Sequence, residues 1–161
     1  MIFFVKQREK ANGKASMKKA ELLFFDSNVY INLLRDPVYQ KRLEPLLRGG
    51  FLYTMNKIIL MELWAGAKTS IEENILRQHQ KSFPLIGMQD DQFVVAGQLM
   101  SQMQKKHRFE PKPRRRLTWD ILIALSAKEN NAMLITENVS DFQRIKNWVS
   151  FEFMTVPETT R

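Results

Sequence analysis

The chain has 161 residues, with 25 Lys and Arg against 17 Asp and Glu, a net charge of +8 and no cysteine. That length gives one domain with a full hydrophobic core, and the lack of cysteine excludes disulfides, thiolate zinc sites and a cysteine nucleophile while suiting a reducing cytoplasm. Apolar runs such as 121–125 fall far short of the roughly 20 residues that span a bilayer, and the early Lys6, Arg8 and Lys10 follow the first apolar residues in the wrong order for a secretory signal, so no membrane association is expected.

Residues 1–20 lose apolar periodicity after Phe4 and carry six Lys/Arg and one Glu; they are expected to form a flexible basic extension, with Met17 as an alternative start. Residues 21–161 are expected to form the domain. A strand over 22–25 leads into a helix over 27–34. Asp36-Pro37 opens a second helix that ends near Gly49-Gly50. A strand over 51–55 follows, and Asn56 can cap a helix running to about Gly66. Amphipathic helices over 69–82 and 90–106 flank a short strand at 84–86. A Pro-interrupted basic loop comes next, then a helix over 118–130, a strand over 133–136, a short helix from Asn138 or Ser140, and an edge strand over 151–156. Strands alternating with helices predict an α/β fold whose central, mostly parallel sheet is covered on both faces.

Four carboxylates stand in apolar segments of this pattern: Asp26 in LLFFDSNVYINLL, Glu62 in IILMELWAGA, Asp120 in LTWDILIALSA and Asp141 in AMLITENVSDF. Acids are seldom buried without a partner. Asp26 and Asp141 follow the carboxyl ends of strands, where open α/β sheets bind ligands. Asp120 is placed at a helix start, where the macrodipole favours an anion, and Glu62 on a helix that can turn toward the same crevice. Acids about 4 Å apart repel by roughly 4 kcal/mol per pair at an effective dielectric near 20, so a divalent metal is the natural compensation if the four converge.

Each acid also has an ordinary structural role open to it. Asp26, Asp120 and Asp141 can cap helices, and Glu62 can pair with Lys57 or Lys68. Caps do not explain the small residues nearby: Gly66 after Glu62, and Ala124 and Ala127 after Asp120, which suit tight packing on the sheet. Asp90 and Asp91 read as helix-start acids, Glu137 as a peripheral polar group, Trp119 and Phe142 as core, and the nine Met residues largely as core. His79 and His107 are too isolated to act as a metal pair.

Basic charge is concentrated at 1–20 and at 104–116, which hold +5 and +6, leaving the rest of the chain at −3. This distribution suits a protein that holds a polyanion near an acidic site. No dinucleotide fingerprint, phosphate loop or GxSxG elbow is present, and an aspartyl phosphotransferase reading of Asp26 meets Asn28 where a second Asp is usual.

The stretches DSNVYI from Asp26, ELWAGA from Glu62, DILIALSA from Asp120 and TENVSDF ending at Asp141 closely resemble, in order, the motifs of PIN-domain nucleases, and among them the VapC-like toxins of toxin–antitoxin pairs. Asn56 and Ile59 stand where Ser and Thr are common. The resemblance implies a three-layer α/β/α fold, a homodimer, and Mg²⁺ or Mn²⁺ held by acids at the carboxyl end of the sheet. It implies an endoribonuclease of the cytoplasm that cuts RNA by water attack and is silenced by an antitoxin protein. On that reading Asp26, Asp120 and Asp141 hold the metal, Glu62 is a ligand or holds the water, Asn28 and Thr136 orient these ligands, and Arg114, Arg115 and Arg116 contact RNA phosphates. The alternatives are a PIN nuclease of RNA or DNA processing with no toxin role, and a PIN module that binds nucleic acid without cutting it.

Overall fold

The computed structural model describes residues 22–107 and 111–158, with the side chains of 107 and 111–115 outside the description. The basic extension expected over 1–20 lies outside the described residues. The elements run β1 (Leu22–Phe25), α1 (Ser27–Arg35), α2 (Pro37–Arg48), β2 (Leu52–Asn56), α3 (Lys57–Gly66), α4 (Ser70–Ser82), β3 (Leu85–Ile86), α5 (Asp90–His107), α6 (Pro111–Glu129), β4 (Met133–Ile135), α7 (Val139–Lys146) and β5 (Glu152–Met154). All strand pairs are parallel, in the order β3-β2-β1-β4-β5.

Parallel strands need long crossovers, and helices supply each of them. α1 packs on α2 and α3, and α3 on α4, while α5 and α7 both pack on α6, giving a three-layer α/β/α domain. β1 is the central strand and reads as a buried hydrophobic run, with Leu23, Phe24 and Phe25 sealed from solvent. Chain order reverses at β1: the sheet grows toward β2 and β3 on one side, then returns to place β4 on the other. That reversal opens a crevice beyond the carboxyl ends of β1 and β4.

Local chemistry sets the helix starts. Asp36 accepts from the Val38 amide at 2.8 Å with Pro37 in the first turn, Asn56 accepts from the Ile58 amide at 2.7 Å, and Thr69 accepts from the Glu72 amide at 3.2 Å. Asn56 thus does the capping work that Ser would do, and its amide group also reaches Met88 Sδ at 3.4 Å.

Two expectations are corrected on α6. The segment read as a Pro-interrupted loop is helical from Pro111, because proline in a first turn gives up an amide that would have no partner there in any case. Asp120 consequently stands well inside the helix rather than at its start, out of reach of the macrodipole. Ala124 and Ala127 are fully buried, as tight packing required, whereas a Cβ at Gly66 would meet open space. Met55, Met100 and Met103 are core, but Met61 and Met154 are exposed. Phe142 is core and Trp119 is not: 36% of its surface is exposed. Among the described residues, no helix is long and apolar enough to cross a membrane.

Candidate functional site

The reversal of strand order sets Asp26 and Thr136 side by side. Phe25 pairs with Ile135 in the β1–β4 register, the Asp26 amide donates to the Ile135 carbonyl at 2.9 Å, and the next residue on each strand enters the crevice. Asp26 is 3% exposed and caps α1. Its Oδ1 accepts from the Ser27 amide at 2.7 Å; its Oδ2 accepts from Asn28 Nδ2 at 2.7 Å and from Thr136 Oγ1 at 2.6 Å. Burial pushes the Asp26 carboxyl up, against the pull of Thr136, the Ser27 amide, Asn28 and the charge of Arg116.

Asn28 and Thr136 both bond the Asp26 carboxylate. Asn28 spans the two strand ends, donating to Asp26 and accepting from the Glu137 amide at 3.2 Å, and Thr136 Oγ1 also accepts from the Asn138 amide at 2.9 Å. The carboxylate is fixed by groups that themselves have partners, which holds its orientation.

Asp120 reaches the crevice from α6, 5% exposed, and accepts from Asn138 Nδ2 at 3.3 Å. Burial, and then the charges of Asp26, Asp141 and Glu62, push its carboxyl up to about 7, with Arg116 opposing. Each of the other three acids thus acts on Asp120 across the crevice. Glu62, half-buried on α3, is also raised, first by burial and further by the charge of Asp26, while the Ser27 hydroxyl and Arg116 pull it down. Asp141 sits in the first turn of α7 and pairs with Arg144 at 3.5 Å.

The four acids share one electrostatic neighbourhood without closing on one point. Among the described residues no group of three acidic or imidazole side chains is arranged to hold a metal ion. By donor type the set suits a hard dication, being all oxygen and anionic, and the raised Asp120 carboxyl has charge repulsion that a cation would relieve. Asp141 shares its Oδ1 with Arg144, which would compete with a metal for that oxygen.

Three contributors were not picked out from the sequence: Ser27 beside Glu62, Asn138 on Asp120, and Arg144 on Asp141. Only Arg144 was findable, as the third residue after an acid on a helix. Glu62 makes no ion pair with Lys57 or Lys68 among the described residues. Glu137 is peripheral as expected, accepting from Tyr39 Oη at 2.9 Å with Arg42 at 3.7 Å. Arg116 is exposed, and its charge reaches Asp26, Glu62 and Asp120. The side chains of Arg114 and Arg115 lie outside the described residues.

The PIN domain family model matches residues 23–147, which takes in all four acids and every strand but the last. The chain belongs to the PIN domain family. Solved structures of similar fold agree. VapBC2 from Rickettsia felis, bound to a DNA fragment from its promoter, has a chain 22% identical that superposes with a TM-score of 0.62 over 83% of this chain and 98% of that one. VapBC-1 from nontypeable Haemophilus influenzae gives 22% identity and 0.60 over 85% and 99%, and DNA-bound VapBC from Salmonella typhimurium gives 19% and 0.62 over 88% and 100%. At such identities the likeness is one of fold, and this PIN domain differs from those chains at most positions. No curated protein matches the chain.

Proposed function

We propose that this PIN domain is a metal-dependent endoribonuclease of the cytoplasm, acting as the toxin of a toxin–antitoxin pair. One observation supports the reading: Asp120, buried on α6, lies within the charge field of Asp26, Glu62 and Asp141, so acids from four separate segments share one neighbourhood near the switch point of the sheet. Asp26, Asp120 and Asp141 are the residues that would hold Mg²⁺ or Mn²⁺, with Glu62 as a fourth ligand or water-holder. A bound dication would lower the pKa of water and offset phosphate charge.

The chain's own groups divide the remaining work. Ser27, Asn28 and Thr136 hold the Asp26 carboxylate in one orientation. Asn138 steadies Asp120. Glu62, half-buried and with its carboxyl raised by burial, would take a proton at its carboxylate from an attacking water. Water as nucleophile leaves no need for a covalent intermediate. Arg116, together with Arg114 and Arg115, supplies positive charge for RNA phosphates around the cut. The toxin role and the cognate antitoxin rest on the resemblance of the motifs and on neighbours whose structures are VapBC assemblies, and a homodimer rests on the resemblance alone.

The deciding experiment incubates purified protein with tRNA, rRNA and single-stranded DNA, each with Mn²⁺, Mg²⁺ or EDTA. Cleavage of RNA with metal and none in EDTA is expected. The Asp141–Arg144 pair favours a second reading, a PIN module that binds without cutting; binding to these nucleic acids with no cleavage under either metal would establish it in place of the first.

A further inference from the structure

Two large apolar side chains are exposed immediately before acids of the site. Trp119, 36% exposed, precedes Asp120 on α6, and Met61, 46% exposed, precedes Glu62 on α3, a helix that packs against α6. Their sequence neighbours are treated differently: Asp120 is buried, as are Leu117, Ile121, Leu122 and Ile123, so Trp119 is the large residue of its turn that the core leaves out. Arg116 stands three positions before Trp119 and four before Asp120. On an α-helix these three residues lie along one side within a single turn. Arg116 is exposed and, among the described residues, makes no ion pair.

The other tryptophans are accounted for. The guanidinium of Arg77 covers Trp64 at 5.6 Å from the ring centroid, and Lys106 Nζ covers Trp148 at 5.4 Å. Among the described residues no cation covers Trp119. An exposed indole, one turn from an arginine and adjacent to a buried acid, matches the needs of an unpaired nucleotide: an aromatic face for the base and a positive charge for its phosphate.

We propose that Trp119 and Arg116 form a gripping edge for single-stranded nucleic acid, with Trp119 stacking on the base next to the acids and Arg116 holding the adjoining phosphate. The proposal deepens the nuclease reading and rests on it for the direction of approach: an unstacked strand brings its backbone over Asp26 and Asp120, whereas duplex bases offer no face to Trp119. Net charge supports this occupant over an apolar peptide, since the segment leading into the edge, 104–116, carries +6.

The test uses the full chain with Trp64→Phe and Trp148→Phe, leaving Trp119 as the sole indole, in EDTA so that binding is read without cleavage. A single-stranded RNA dodecamer is expected to quench Trp119 emission saturably, and the same sequence as a duplex is not. Trp119→Ala is expected to weaken binding of the labelled dodecamer about tenfold by anisotropy, with Trp119→Phe recovering most of it. Arg116→Gln should weaken binding several-fold and flatten the salt dependence by about 0.7 in slope. In any cleavage assay Trp119→Ala should raise KM more than it lowers kcat.

Anisotropy that reports binding while Trp119 emission stays unmoved would overturn the proposal, and so would equal affinity of Trp119→Ala and the parent. Emission that changes with protein concentration and not with RNA would assign the edge to a second copy of the chain, against the proposal. The nuclease reading fails separately: quenching without cleavage under either metal sinks that reading and leaves the gripping edge, and cleavage with an unmoved Trp119 does the reverse.

Discussion

Arg144 stands 3.5 Å from Asp141 on the same turn of α7, so an acid of the site is held by a cation of its own helix. A metal that takes Asp141 competes with this cation for the carboxylate. Both side chains are partly exposed, and pairs of this kind are worth at most about 1 kcal/mol. Arg144→Gln is therefore expected to tighten Mn²⁺ binding two- to fivefold in a calorimetric titration. Weaker binding in the variant would instead make Arg144 a group that positions Asp141.

Metal-free stability should depend on pH through Asp120. Its folded-state carboxyl is raised to about 7 from an ordinary value of 3.8, so the folded chain binds the proton more tightly than the unfolded chain. Stability on this account falls as pH rises from about 4 to about 7 and is level above that. The whole shift corresponds to roughly 4 kcal/mol at 1.36 kcal/mol per unit, an upper bound for a group coupled to three others. Glu72 does not interfere, because Arg35 holds its carboxyl down to about 2 and it stays charged throughout this window. The expected result is a lower melting temperature at pH 8 than at pH 5.5 in EDTA, a difference that saturating Mn²⁺ removes. His79, whose imidazole is lowered by burial, acts in the opposite direction over this range, so equal melting temperatures in EDTA would show that the raised Asp120 carboxyl does not outweigh it.

Replacing the two buried aspartates should separate ligand loss from charge relief. Asp26 accepts from three donors, and an amide in its place must turn an NH₂ toward some of them. Among the described residues Asp120 accepts one hydrogen bond, from Asn138, and it carries the repulsion of three neighbours. Both Asp26→Asn and Asp120→Asn are expected to abolish cleavage. In EDTA at pH 8, however, Asp120→Asn should raise the melting temperature by several degrees, and Asp26→Asn should change it less. The reverse order would show that the bonds to Asp26 matter less than its charge.

Crowded carboxylates attract a guanidinium as well as a metal, since its fork matches carboxylate oxygens bidentately. An inhibitory partner is therefore expected to place an Arg or Lys near Asp26, Glu62 and Asp120 and to compete with Mn²⁺. Partner affinity measured across a Mn²⁺ titration should fall as the metal approaches saturation. Constant affinity with cleavage still blocked would move inhibition away from the acids, for example onto the basic RNA path.

The alternation of strands and helices was legible because the apolar runs are short and the caps at Asp36, Asn56 and Thr69 announce their helices. The placing of Asp26 at a strand end was equally legible. The start of α6 was not: Pro111 and Pro113 look like breakers in a sequence, and the first turn of a helix is where proline does no harm. That single boundary carried the position of Asp120 with it. Trp119 was misread because an apolar helix gives no sign of which residue the core omits. Asn138 and Ser27 escaped notice because their partners are set by how separate elements dock; Asn138 and Asp120, for instance, belong to different elements that meet only in the crevice.

The hydrogen bond from Thr136 to Asp26 joins residues 110 positions apart. During synthesis β1 leaves the ribosome long before β4, and at about 5–20 residues per second the wait is on the order of ten seconds. Until then Asp26 lacks its neighbouring strand, Asp120 lacks Asn138, and the crevice does not exist. If the proposed ribonuclease reading holds, the nascent chain would lack its site for nearly the whole of its own translation, and so would a product truncated before residue 133. On the proposed nuclease reading, synthesis of the chain and completion of its site would be separated in time by the topology of the sheet alone.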